Sequence, residues 1–177
     1  SDVIPSNDWG YDKNDAYSFE QLKKMINWAS NKGIKTLVLT DACRSGIVIS
    51  NANNTNYTQK NLTSSWSNNN SQSNGSISKI VSCNVDQKSF EGIKWSDSIY
   101  SGHGVFTYFL INGLKGLADL NDDNLIDFEE LSRYTKDNVG IETNKEQTPK
   151  SSSDDDYMTI TNINNKVKSQ AKELTTK

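Results

Sequence analysis

A short apolar run that ends in a cysteine motif is the feature that most limits how this chain can fold. Residues 37–40 read Leu-Val-Leu-Thr and are followed at once by Asp-Ala-Cys-Arg-Ser-Gly at 41–46. A run of this kind is typical of a buried strand, and in open α/β sheets the reactive groups lie just past the carboxyl ends of strands. Gly46 lets the chain turn sharply at that point. The segment therefore predicts that Cys43 is a nucleophile presented at a sheet edge.

Other roles for the cysteines remain open at the level of sequence. A lone cysteine is more often a buried small hydrophobe than a nucleophile. The chain has two cysteines, Cys43 and Cys83, which are too few for a disulfide scaffold, although both end strand-like runs and a bridge between them is an alternative. With a single histidine, they do not make a zinc site.

The surrounding pattern alternates between helix and strand. Ser18 and Gln21 form a capping box, and apolar residues then recur at helical spacing (Leu22, Met25, Ile26 and Ala29) as far as Gly33. Strands are predicted at 35–41, 77–83 and 158–163, with helices at 106–114 and 131–139 and a polar turn at 151–156. Strand, helix and strand in succession are typical of the α/β class.

Five segments, in chain order, resemble the caspase-like cysteine peptidases, and most closely the metacaspases and their bacterial relatives. The first is Val3-Ile4-Pro5-Ser6, and the second is the cysteine motif at 41–46. The others are Ser-Cys-Asn-Val-Asp-Gln-Lys-Ser-Phe-Glu at 82–91, Gly-His-Gly-Val-Phe-Thr-Tyr-Phe-Leu at 102–110 and Gln-Thr-Pro at 147–149. The resemblance implies a mostly parallel sheet flanked by helices and a cysteine endopeptidase activity on protein or peptide substrates.

The catalytic histidine of such a peptidase is expected upstream of the cysteine. A thiol of ordinary pKa is only slightly ionised at neutral pH, so Cys43 needs a base beside it. The single histidine, His103, lies downstream in the segment that resembles a late helix start, so we interpret it as structural. The sequence is therefore expected to be an incomplete domain that lacks the first strands, with the amino-terminal part of the same precursor as a partner.

Acidic residues near the motif indicate the specificity. Asp41, Asp86 and Glu91 match positions at which the resembled enzymes carry carboxylates in the primary specificity pocket. A carboxylate there selects a substrate arginine or lysine through a charge-assisted bond. We therefore expect cleavage after basic residues.

A second pattern at 119–130 has the spacing of an EF-hand-type calcium loop. Oxygen ligands are predicted at positions 1, 3, 5, 7, 9 and 12, which are Asp119, Asn121, Asp123, the Leu125 backbone, Asp127 and Glu130. Asn124 replaces the usual glycine at position 6, and asparagine tolerates the left-handed backbone needed there. The alternative is an acidic helix connection. Calcium would be structural or regulatory, and no cofactor is expected for catalysis.

Composition limits the remaining classes. Residues 1–163 are predicted to form one partial peptidase domain, in which the Asn/Ser-rich segment 51–75 is too polar to order itself, and 164–177 form a frayed polar tail. A net charge of -3 and the lack of a long apolar stretch give no reason to expect nucleic acid or a membrane as partner. Two other functions stay open, namely an inactive caspase-like scaffold and a calcium-binding interaction module.

Overall fold

The computed structural model describes residues 19–41, 75–84, 86–92, 103–163 and 167–169. Cys43, the family-like segment at 3–6 and residues 51–74 of the Asn/Ser-rich segment lie outside this part of the chain. The chain divides into two compact units, one built from 1–36 and 51–77 and the other from 37–50 and 78–177. The second unit carries most of the described residues and both candidate sites.

The first unit contains helix α1, Phe19–Asn31. Ile26 and Ser30 are its buried residues, whereas Met25, which the helical pattern places on the apolar side, is 51% exposed. The helix ends because Gly33 takes a positive φ of 77° and the N–H of Ile34 turns back to the Ala29 carbonyl at 3.0 Å. The predicted end at Gly33 is thus confirmed.

Two parallel strands precede the cysteine motif at 41–46 and the family-like segment at 82–91. They are β1, Thr36–Thr40, and β2, Ile77–Val81. The N–H of Thr36 donates to Ser76 at one end and the N–H of Ser82 donates to Thr40 at the other, both at 2.9 Å. Both strands lie within the predicted spans, and their carboxyl ends meet at the same edge of the sheet.

A two-residue strand pair leads into the next helix. Strand β3, Glu91–Gly92, pairs antiparallel with β4, His103–Gly104. Helix α2 follows directly at Val105–Asn112, and a π-helical turn continues it through Gly113–Leu117. His103 therefore stands at the entrance of a helix, as the sequence predicts.

The acidic pattern occupies the connection between two helices. Strand β5, Leu125–Asp127, forms its second half, and helix α3 runs over Phe128–Glu142. α3 begins with a capping box, because Asp127 accepts from the N–H of Glu130 while the Glu130 carboxylate accepts from the N–H of Asp127.

The polar turn predicted over 151–156 is partly wrong. Lys150–Ser153 form strand β6, which pairs antiparallel with β2 and gives the sheet order β1-β2-β6. The sequence Lys-Ser-Ser-Ser has no apolar alternation, so its strand character comes from the ladder with β2 and not from burial. Ser78 and Ser153 add a hydroxyl–hydroxyl bond of 2.6 Å across this ladder.

The last strand, β7, spans Thr159–Asn162 and pairs with β5, with a register shift at Ile126 and Asp127. The strand prediction at 158–163 is confirmed, but its partner is the acidic loop and not the sheet of β1, β2 and β6. The N–H of Ile163 also donates to the Asn124 carbonyl at 2.9 Å. This pairing ties the chain after β7 to the acidic loop.

One apolar core holds the second unit together. It is formed by Ile80, Val105, Phe106, Leu110, Ala118, Ile126, Phe128, Leu131, Val139 and Met158. Because β2, α2, β5 and α3 all contribute, the sheet, the helix entrance and the acidic loop are parts of one packed body. None of the described helices is both long enough and apolar enough to cross a membrane.

Candidate active site and acidic loop

Asp41 is held at the carboxyl end of β1. Its carboxylate Oδ2 accepts a hydrogen bond of 2.6 Å from the Thr107 hydroxyl, in the first turn of α2. The start of a helix carries partial positive charge, which favours an anionic side chain there. The carboxylate two residues before Cys43 is therefore exposed to solvent yet fixed in direction.

Gly104 adjoins both Asp41 and Glu91. A Cβ added at Gly104 would lie 2.8 Å from Asp41 Oδ2, closer than real side chains approach, so the glycine makes room for this carboxylate. Gly104 is also the register partner of Glu91 in the β3–β4 pair. Two of the three predicted pocket carboxylates thus belong to residues that adjoin one glycine.

Asp86, the third predicted pocket residue, is exposed in the turn after β2. The structure gives it no contact with Asp41 or Glu91 among the described residues. Its neighbour Gln87 anchors this turn, because Gln87 Oε1 accepts from the N–H groups of Asn84 at 3.1 Å and Thr148 at 2.9 Å. Asp86 therefore lies on a fixed turn but is not placed in a shared pocket.

Two of the family-like segments interlock through glutamines. Gln147 is fully buried, donates to the Ser82 carbonyl at 2.9 Å and accepts from the N–H of Phe90 at 2.7 Å. Gln87 reaches back to Thr148 in the opposite direction. Segment 82–91 and segment 147–149 therefore form one polar network, although about sixty residues separate them.

Cys83 is a buried thiol rather than half of a disulfide. Its Sγ lies 3.4 Å from the Gln87 carbonyl oxygen and 3.8 Å from the Ser89 hydroxyl. The alternative bridge between Cys83 and Cys43 is thus not formed. Burial of this kind is typical of an unreactive structural cysteine.

The acidic loop has the hydrogen bonds of a tight turn. Asp119 Oδ1 accepts from the N–H of Asp123 at 3.1 Å, and Asp119 Oδ2 accepts from the N–H of Asn124 at 3.2 Å. Asn121 and Asp123 accept in the same way from N–H groups two residues ahead. Asn124 has a φ of 63°, so asparagine does take the left-handed conformation predicted for it.

Glu130 closes the loop from inside. It is 4% exposed, and its Oε1 accepts from the N–H groups of Leu120 at 3.0 Å and Asn121 at 3.3 Å. Its Oε2 accepts from the N–H of Asp127 at 3.2 Å. Both oxygens of the predicted bidentate ligand thus serve the backbone of the chain.

A lysine from the predicted tail meets the loop. Lys168 Nζ lies 2.8 Å from Asp119 Oδ2 and also bonds to Asp122 Oδ1. The hydrogen bond to Asp119, followed by that to Asp122, raises the pKa of Lys168 above its ordinary value. Lys168 is 9% exposed, so the expected fraying does not apply at this residue.

Several of the oxygen atoms predicted to bind calcium have other hydrogen-bond partners in the loop. The side chain of Asp119, the ligand predicted at position 1, is fully buried and bonded to an ammonium group, and Glu130 is bonded to three N–H groups. Within the described residues, no three acidic, cysteine or histidine side chains are arranged to hold a metal ion.

Sequence reasoning missed Thr107 and Lys168. Thr107 lies 66 residues from Asp41, and Lys168 lies 49 residues from Asp119, so no local spacing connects either pair. Thr107 was inside a recognised segment, but a threonine at the start of a helix is ordinary. Lys168 had no signal beyond its charge.

Comparison of the chain with protein-family models, with curated proteins and with solved structures found no match.

Proposed function

We propose that this chain is the nucleophile-bearing part of a cysteine endopeptidase that cuts after arginine or lysine. The observation that carries the proposal is the position of Asp41, two residues before Cys43. Its carboxylate stands at the carboxyl end of a parallel strand, bonded to Thr107 and facing Gly104. This is the edge at which α/β sheets place reactive groups.

The carboxylate fits a basic substrate. Asp41 is exposed and Glu91, paired with Gly104, is exposed as well. A substrate guanidinium would find an anchored negative charge at Asp41, where a bidentate charge-assisted bond is favourable. An aspartate side chain at the same place would meet like charge, which is why cleavage after basic residues is the proposed specificity.

The reaction would proceed through a thioester. The Cys43 thiolate attacks the scissile carbonyl, its own backbone N–H donates to the oxyanion, and the C–N bond breaks as the leaving amine takes a proton from the base. Water then hydrolyses the thioester and returns the thiol. The base in this proposal is a histidine other than His103, supplied by the amino-terminal part of the precursor.

Active-site labelling tests the proposal. Peptidyl acyloxymethyl ketones bearing arginine, lysine or aspartate are added to the precursor protein, and mass spectrometry locates the adduct. We expect the arginine reagent to label Cys43 at least about tenfold faster than the aspartate reagent, which corresponds to about 1.4 kcal/mol. Buried Cys83 is the internal control, and Cys43→Ala abolishes labelling and peptide hydrolysis together.

Other outcomes of the labelling experiment would contradict the proposed specificity or favour an inactive scaffold. Equal labelling by the arginine and aspartate reagents would contradict the specificity and leave the peptidase. No labelling of Cys43 by any reagent would favour the inactive scaffold, which the fold accommodates equally well. Calcium enters only as an ion that would have to displace Lys168 from the acidic loop.

A further inference from the structure

We propose that Lys168 is the resident cation of the acidic loop, so that the chain itself supplies the positive charge that the sequence pattern assigns to a metal ion. The proposal does not depend on the peptidase activity. It rests on how Asp119 is buried, what neutralises it and how the lysine reaches it.

The buried carboxylate of Asp119 needs a positive partner. Its side chain has 0% exposure, and an ionised carboxylate in such a place is tolerated only when paired and hydrogen-bonded. N–H groups of Asp123 and Asn124 provide two bonds but no full charge. Lys168 provides the charge at 2.8 Å, with its own side chain only 11% exposed.

The backbone is shaped to let the lysine in. Gly116, at the end of the π-helical turn, has a φ of 116°, and a Cβ added there would lie 3.2 Å from Lys168 Cβ and 3.3 Å from Lys168 Cγ. The lysine stem therefore runs across the bare backbone of this glycine. Ile163, after the strand that pairs with the loop, packs at the same point.

The other end of the loop is closed without a cation. Glu130 is used to bond Leu120, Asn121 and Asp127, so the residue that would complete a calcium shell is already part of the helix cap. The ion pairs of Lys168 with Asp119 and Asp122 hold one end of the loop. The capping box at the start of α3 holds the other end. The loop is thus expected to stay folded when metal ions are removed.

Thermal unfolding of the whole chain tests whether Lys168 holds the loop. Lys168→Met keeps the aliphatic part of the side chain and removes the charge. Lys136→Met, at an exposed position on α3, is the matched control. In EDTA we expect Lys168→Met to lower the Tm by about 10 °C, as for breaking a buried ion pair in a chain of this size, and the control to lower it little. The wild-type Tm should be the same in EDTA and in calcium.

A second variant covers the case in which Lys168→Met does not fold. Asp119→Asn combined with Lys168→Met removes both charges. We expect the double variant to fold, with a Tm well above the value obtained by adding the Tm losses of the two single variants. Amide exchange in the peptide covering 119–125 should rise in Lys168→Met and fall back in the double variant.

Isothermal titration should show calcium binding at least about tenfold tighter to Lys168→Met than to the wild type, because the competing charge is gone.

Three results would overturn the proposal. A wild-type protein that loses stability in EDTA would make a metal the resident cation. A Tm for Lys168→Met equal to that of Lys136→Met would mean that Asp119 does not depend on the lysine. Calcium binding of equal strength to wild type and Lys168→Met would show that ammonium and metal do not compete.

Discussion

The side-chain amide of Gln147 donates to the backbone carbonyl of Ser82 at 2.9 Å, across 65 residues of sequence. The same side chain accepts from the N–H of Phe90, so a single buried glutamine holds both ends of the segment that leaves β2. Two residues predicted to bind the substrate belong to this segment. Asp86 lies between Ser82 and Phe90, and Glu91 follows Phe90 directly. The placement of Asp86 and Glu91 therefore depends on Gln147, which lies far from both in sequence.

Gln147→Leu should destabilise the protein by about 2–5 kcal/mol, because it removes the hydrogen bonds of Gln147 to the buried Ser82 carbonyl and to the part-buried Phe90 N–H. Urea unfolding at neutral pH measures the change. Lys24→Leu, at an exposed position on α1, is the control and should change the free energy of unfolding by less than about 0.5 kcal/mol. Equal effects of the two substitutions would contradict the bridging role.

Thr107→Val should raise KM for an arginine substrate by about tenfold with little change in kcat, because the Asp41 carboxylate loses its anchor but remains present. Thr107→Ser keeps the hydroxyl and should retain most of the wild-type KM. Steady-state kinetics with an arginine peptide substrate distinguish the two. If the valine and serine variants behave alike, Thr107 does not position Asp41.

His103→Ala should keep peptide hydrolysis within about threefold of wild type, since we interpret this residue as structural and not as the base. Removal of a true general base would instead lower kcat by about 10²–10⁴-fold. The pH profile of kcat/KM gives a second readout, because loss of the base removes its ionisation from the profile. A large loss of activity would assign the base to His103.

Asp127→Ala should cost about 1 kcal/mol of stability in EDTA, since the side chain caps α3 through the N–H of Glu130. Asp127→Asn keeps an acceptor oxygen and should cost only a few tenths of that. Both are measured by urea unfolding in the absence of metal. Equal losses in the two variants would show that the negative charge of Asp127, and not its cap, is what the fold uses.

Stability should fall as the pH rises from about 10 to about 12. Burial, followed by the nearby Tyr108, raises the pKa of Tyr134 to about 12 from an ordinary value near 10. In that window the folded state holds a proton that the unfolded state has released, so the free energy of unfolding decreases. Tyr134→Phe should flatten this part of the curve in urea unfolding, whereas Tyr157→Phe, at an 82% exposed position, should not.

Elements with a strong local pattern were predictable from sequence. The helix that ends at Gly33, the strands before Cys43 and Cys83 and the helices on both sides of the acidic loop all appear where periodicity and capping place them. The turn of the acidic loop was also readable, because Asn124 at position 6 and the acceptor at Asp119 are local features. The class, mixed α/β, follows from their order.

What could not be predicted comes from pairings distant in sequence. β6 is a strand because β2 offers it a ladder, and its serines give no apolar period to detect. Lys168 meets Asp119, and Thr107 meets Asp41, only after α2 and β7 have packed. The calcium pattern describes oxygen atoms at the right spacing, but spacing does not reveal that an ammonium group shares them.

The sequence of β6 also bears on how the folded chain behaves at high concentration. In the sheet of the described residues this strand is outermost, and its Lys-Ser-Ser-Ser side chains are mainly exposed. A charged lysine and hydrated hydroxyls discourage a second molecule from adding its own strand to such a rim. Ser151→Val and Ser152→Val would keep the backbone ladder with β2. They would make the outer edge of the sheet apolar, which favours pairing with a strand of a second molecule.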